Sequence, residues 1–89
     1  MKFGINNLFS GREDIDARRI YGNALDQIVL AEELGFTSVW MAEHHFSNYG
    51  LLPHIGTFAA AAAARTTTIQ LGTAVLVLPF GNPIRLAEE

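Results

Sequence analysis

Cysteine is absent from the 89 residues. That removes a disulfide framework, a thiolate metal site and a cysteine nucleophile together. Positive charge is scarce: six Lys and Arg stand against nine Asp and Glu, a formal net charge of −3, which leaves no electrostatic footprint for nucleic acid. No apolar stretch reaches the ~20 residues needed to cross a bilayer. The most apolar tracts are Leu51–Ala64, interrupted by His54, and Ile69–Phe80. The start, Met1-Lys2-Phe3-Gly4-Ile5-Asn6-Asn7, lacks the apolar core of a secretory signal, so a cytoplasmic location is expected. Gly-x-Gly-x-x-Gly, a Gly-Lys-Ser/Thr phosphate loop, Gly-x-Ser-x-Gly and His-Glu-x-x-His are all missing, so none of the chemistries tied to those patterns has support.

What is present is a globular composition, 49% apolar and 17% charged, organised by two hydrophobic periods. Phe3-Gly4-Ile5 with Leu8-Phe9 predicts a short strand that leaves into the polar loop Ser10-Gly11-Arg12-Glu13-Asp14. From Ala17 to Leu34 helical spacing takes over, with Tyr21, Ala24, Leu25, Ile28 and Ala31 on one stripe. Asp14 or Asp16 is placed to cap that helix, and Gly35 to end it. A strand is expected at Ser38–Ala42, delivering Glu43-His44-His45-Phe46 at its C-terminal end. Pro53 suits the first position of a second helix, which continues through Ala59–Ala64 to Arg65. The six alanines there suit close approach to a neighbouring element.

Ile69–Leu78 predicts a third strand, whose run Ala74-Val75-Leu76-Val77-Leu78 does not alternate and so implies cover on both faces. Gly72 reads as a bend or bulge, or as a point where a flat ligand approaches the backbone. Asn82-Pro83 caps a third helix from Ile84 onward. Strand, helix, strand, helix, strand, helix-start is a repeating βα pattern, which implies α/β architecture: a parallel sheet with right-handed crossover helices. Three strands with helices on one side leave the second sheet face bare, and residues 1–89 are therefore expected to form a single partial domain.

Glu43-His44-His45 is the triplet most able to carry chemistry. Three ionisable side chains directly after an apolar strand are costly to bury unless paired, and ligands bind at the C-terminal ends of parallel strands. Histidine suits proton transfer near neutral pH, and a carboxylate beside it can fix its tautomer. The competing reading is a satisfied polar cluster that locks the strand end. Alternation sends Glu43 and His45 one way and His44 the other, which disfavours a metal site; His54 would be a third ligand only if its loop folded back. Arg85 is placed to meet an anion or to stand in solvent, and Trp40 and Phe46 are expected as core or pocket wall.

Three blocks of this sequence resemble one family. They are Met1-Lys2-Phe3-Gly4; Gly35-Phe36-Thr37-Ser38-Val39-Trp40-Met41-Ala42-Glu43-His44-His45-Phe46, continuing through Tyr49-Gly50-Leu51-Leu52; and Leu71-Gly72-Thr73-Ala74-Val75-Leu76-Val77-Leu78-Pro79 followed by Asn82-Pro83-Ile84-Arg85-Leu86-Ala87-Glu88. In order and spacing they are similar to the N-terminal portion of the bacterial luciferase-like flavin-dependent monooxygenases. The resemblance implies a (β/α)8 barrel of which this chain holds the first three strands. It implies use of reduced FMN, supplied by a separate reductase, with O2 to oxidise a small organic substrate such as an aldehyde.

Relatives that use the deazaflavin F420 and transfer hydride give an alternative cofactor, and a non-catalytic fragment or subunit gives an alternative role. By the same resemblance His44 corresponds to the catalytic histidine, with Glu43 and His45 as supporting residues. Ala74 and Val75 occupy the place of a flavin-contacting non-proline cis peptide. Val75 is larger than the small residue usual in the family. A homo- or heterodimer formed through early barrel helices is implied, and the phosphate-binding residues for FMN are implied to lie outside this chain.

Overall fold

The computed structural model describes residues 1–11 and 14–89; Arg12 and Glu13, within the expected polar loop, lie outside the described residues. Three short parallel strands alternate with helices: β1 Gly4–Asn7, α1 Ala17–Glu33, β2 Ser38–Met41, α2 Ile55–Ala63, β3 Gln70–Thr73, then a 3-10 turn Leu78–Phe80 and α3 Pro83–Glu88. The sheet order is β1-β2-β3. Gly4 pairs with Ser38 and Asn7 with Met41, while Ser38 pairs with Gln70 and Met41 with Thr73.

Both long helices cover the same sheet face. Ile20, Ala24, Ile28 and Ala31 of α1 and Ile55, Phe58 and Ala62 of α2 enclose Val39 and Met41 of β2 in one core. Phe9 closes it, packing edge-on against Phe58 with ring centroids 4.6 Å apart, a geometry that adds to area burial. The Tyr21 hydroxyl donates to the Leu51 carbonyl and ties the loop after β2 to α1. The stripe expected on α1 is the buried one, extended by Ile20, with Tyr21 and Leu25 half-buried.

Local rules account for the ends of α1. The Asp16 carboxylate accepts from the Arg18 N–H at 3.1 Å, which selects Asp16 over Asp14 as the cap. At the other end the Gly35 N–H donates to the Glu32 carbonyl at 3.0 Å and the Phe36 N–H to the Ala31 carbonyl at 2.9 Å. With Gly35 at φ 86° this is a Schellman ending, which needs a left-handed residue at that point.

Several expected boundaries are corrected. The first strand stops at Asn7, short of Phe9, which turns into the core. Pro53 does not open the second helix: His54 is extended, and its Nδ1 accepts the Thr57 N–H at 3.2 Å, making His54 the cap and Pro53 the residue before it. The third strand is Gln70–Thr73 rather than Ile69–Leu78, because β2 ends at Met41, the partner of Thr73. Beyond that pair the regular register ends, and Pro79 has no N–H to offer a sheet; the Ala74–Val75 peptide is cis. The apolar run after Thr73 is therefore not a strand covered on both faces.

Gly72 is neither bend nor bulge. It stays in register opposite Trp40, and a Cβ on it would lie 2.6 Å from the indole ring, so glycine is needed for Trp40 to lie across β3. Trp40 itself is not core: it stands 46% exposed, alternating with the buried Val39 and Met41 and so on the face away from the helices.

One anchor had no sequence signal. The Glu32 carboxylate accepts the successive backbone N–H groups of Thr67, Thr68 and Ile69 at 2.5–2.9 Å, and the Thr68 hydroxyl at 3.0 Å. It thereby caps the turn from α2 into β3. Hydrogen bonds from the backbone of Thr68, Ile69 and Thr67 hold its carboxyl at about 2, below the usual 4.5. A carboxyl lowered on folding contributes stability that is fully present above about 4.5 and is lost as pH falls through about 2. The denaturant midpoint of wild type is therefore expected to fall between pH 5 and pH 2 more steeply than that of Glu32→Gln. Parallel pH profiles for the two proteins would contradict the assignment.

Candidate active site

The chain reaches the candidate site as β2 ends. Ala42 and Glu43 are buried, His44 and His45 half-buried and Phe46 almost wholly exposed. Phe46 adopts φ 60°, a left-handed conformation uncommon for a bulky residue, and it turns the chain sharply out of the strand direction. This pose is set by the turn and has no signature in the sequence. Phe46 is not core: its ring stands in solvent, with its centroid 5.7 Å from those of both His45 and Phe80.

The three members of the triplet have different partners. Glu43 and His45 point the same way, with His45 Nε2 3.4 Å from Glu43 Oε2. That is ion-pair distance without hydrogen-bond geometry. The same Glu43 oxygen accepts the Val77 N–H at 2.7 Å. His44 diverges, as strand alternation requires; its ring sits edge-on to Tyr49 with centroids 5.2 Å apart. Its Nδ1 is buried without a hydrogen-bond partner and lies against Gly50, where a Cβ would come within 2.5 Å of it.

The histidines are thereby sorted. His54 is committed as a helix cap through Nδ1, and His45 faces the Glu43 carboxylate. Among the described residues His44 alone of the three has neither a hydrogen bond to its ring nor a carboxylate within ion-pair distance. Likewise, among the described residues no group of three potential ligands converges as a metal site would require, and no helix is long and apolar enough to cross a membrane.

Beside the triplet, the chain after β3 forms a shelf. Ala74 N–H donates to the Met41 carbonyl at 2.7 Å and Glu43 N–H to the Val75 carbonyl at 3.3 Å. Ala74 is exposed and Val75 is 67% exposed, so both residues lie open at the C-terminal end of the sheet. Arg85 is exposed on α3, its backbone N–H donating to the Asn82 cap at 3.3 Å.

Comparison with known proteins matches this arrangement to one family: the model for luciferase-like monooxygenases covers residues 1–89. The chain belongs to the luciferase-like monooxygenase family. It is 43% identical over 60 residues to the alkanal monooxygenase alpha chain of Photorhabdus luminescens, covering 67% of this chain and 17% of that protein. A crystal structure of a Streptomyces bottropensis monooxygenase superposes with a TM-score of 0.89 at 42% identity, over 98% of this chain and 27% of the other. The oxygenating constituent of 3,6-diketocamphane monooxygenase from Pseudomonas putida, a type II Baeyer–Villiger enzyme solved in complex with FMN, superposes with a TM-score of 0.91 at 26% identity, over 98% of this chain and 24% of that one. The fold is thus the N-terminal part of a luciferase-like TIM barrel. The chain spans about a quarter or less of the length of these relatives.

Proposed function

We propose that the protein containing this chain is a flavin-dependent monooxygenase that uses reduced FMN and O2 to oxidise a small organic substrate such as an aldehyde. The observation that carries this reading is the His44 imidazole, without a hydrogen-bond partner, just after β2, with the exposed Ala74–Val75 segment just after the neighbouring β3, in a family that uses flavin. The residues present fit a flat, largely apolar ring. Ala74 and Val75 are exposed apolar residues at the C-terminal end of the sheet, and the His44 imidazole has no hydrogen-bond partner. They supply one wall of such a site, with no cluster of basic side chains for a phosphate.

Reduced flavin, when bound, supplies the electrons that activate O2. The chain's own contributions are positioning and proton handling. Ala74 and Val75 would hold the ring from one side and keep water from that face. His44 Nδ1 is closed in by Gly50, which leaves Nε2 as the atom that exchanges a proton with the ligand; a positioned histidine suits that exchange near neutral pH. Glu43 and His45 support the shelf and touch no reacting atom. The reading includes a cytoplasmic location and subunit pairing through the early helices, where the alanines of α2 permit close packing.

The test supplies the full-length protein with photoreduced FMN in air. Oxygen uptake is expected to rise when a long-chain aldehyde is added. Reduction of F420 by an alcohol in the absence of O2, without FMN-dependent uptake, would replace this reading with hydride transfer.

A further inference from the structure

Glu43 is the one charged side chain that is buried among the described residues, at 8% exposure. A carboxylate in that position is strongly unfavourable unless donors meet it. The donor it meets is not a cationic side chain in hydrogen-bond geometry but the main chain of another element. Oε2 accepts the Val77 N–H at 2.7 Å, a charge-assisted bond of the stronger kind. The backbone N–H of the same residue donates to the Val75 carbonyl at 3.3 Å. One residue at the end of β2 thus grips the chain twice, on either side of Leu76, just where ladder pairing has stopped at Met41 and Thr73. The next backbone bond along this segment is local, from Phe80 N–H to the Val77 carbonyl. His45, 3.4 Å from the shared oxygen, packs edge-on against Phe80 with centroids 4.7 Å apart and extends the same anchorage to the 3-10 turn.

We infer that Glu43 is a positioning residue for the flavin-facing shelf: its buried carboxylate holds Val77, and with its backbone hold on Val75 it orders Val75–Val77 so that Ala74 and Val75 present a fixed edge to the ring. This rests on the flavin reading above and adds to it a residue that acts on the ligand only through the segment it anchors. The requirement is for an acceptor oxygen at that point. Glutamine keeps such an oxygen while losing the charge; alanine removes it and leaves the Val77 N–H buried without its partner.

The test uses the full-length protein and two readouts. In FMN titrations followed by flavin fluorescence, Glu43→Ala is expected to raise the dissociation constant about tenfold or more, whereas Glu43→Gln stays within about threefold of wild type. In the ligand-free protein, amide hydrogen exchange over residues 74–81 is expected to speed up about tenfold or more in Glu43→Ala and to remain near wild type in Glu43→Gln. A purely structural role would lower stability in both variants without this split. Unchanged exchange in Glu43→Ala overturns the inference, as does a Gln variant that binds FMN as poorly as Ala. A wild-type protein that fails to bind FMN overturns the flavin reading itself, and the exchange result still decides whether Glu43 holds the segment.

Discussion

Replacing His44 by alanine in the full-length protein is expected to lower FMN-dependent oxygen uptake by about 100-fold or more, the range for loss of a positioned acid or base. The argument starts from the division of labour among the histidines. His54 Nδ1 is occupied by the Thr57 N–H, and His45 Nε2 stands 3.4 Å from the Glu43 carboxylate, so each ring already faces a polar partner within the chain. His44 has no such tie among the described residues. Because its side chain lies outside the principal core, the alanine variant is expected to fold with a melting temperature close to wild type and to bind FMN. Steady-state oxygen-electrode rates across pH 6–9 check the loss. Turnover equal to wild type would remove His44 from the mechanism.

A Gly50→Ala substitution is expected to lower turnover roughly 30-fold without touching a reacting group, because small displacements of a catalytic side chain carry penalties of that order. Gly50 adopts φ 70°, where any L side chain is strained. Its Cβ would fall 2.5 Å from His44 Nδ1 and 2.7 Å from Cγ, so the imidazole must move. The strain adds a stability loss of about 1 kcal/mol. The double variant His44→Ala/Gly50→Ala separates the two effects. If Gly50 acts through the His44 ring, the double variant is no slower than His44→Ala alone. Losses that multiply would show that Gly50 matters by another route.

Much of this was legible because it follows from short-range rules. The period of Tyr21, Ala24, Leu25, Ile28 and Ala31 fixes which face of α1 is buried, since a helix repeats its geometry every few residues. Gly35 and Asn82-Pro83 fix ends for the same reason: orphan backbone groups need particular residues there. The divergence of His44 from Glu43 and His45 follows from alternation along an extended chain.

The errors fall where an element's extent depends on its neighbour. Ile69–Leu78 has the composition of a long buried strand, but a strand extends only as far as its partner does, and Met41 is the last residue of β2. The helix starts after Pro53 rather than at it because His54 is extended and caps the helix by accepting the Thr57 N–H, which makes Ile55 the first helical residue. Glu32 looks like any surface glutamate near a helix end. Its three backbone partners come from a turn some 35 residues on, a contact that no local pattern encodes.

The sequence by itself determined the alternation of strands and helices, the core-facing stripe and the placing of Glu43-His44-His45 at the end of a strand, because periodicity and capping are local properties. Only the tertiary structure decided which histidine stands clear of both hydrogen-bond and ion-pair partners, where β3 ends and which carboxylate accepts the Val77 N–H. Those outcomes depend on which donors and acceptors from distant segments meet, and a buried polar group is defined by its partners rather than by its residue type.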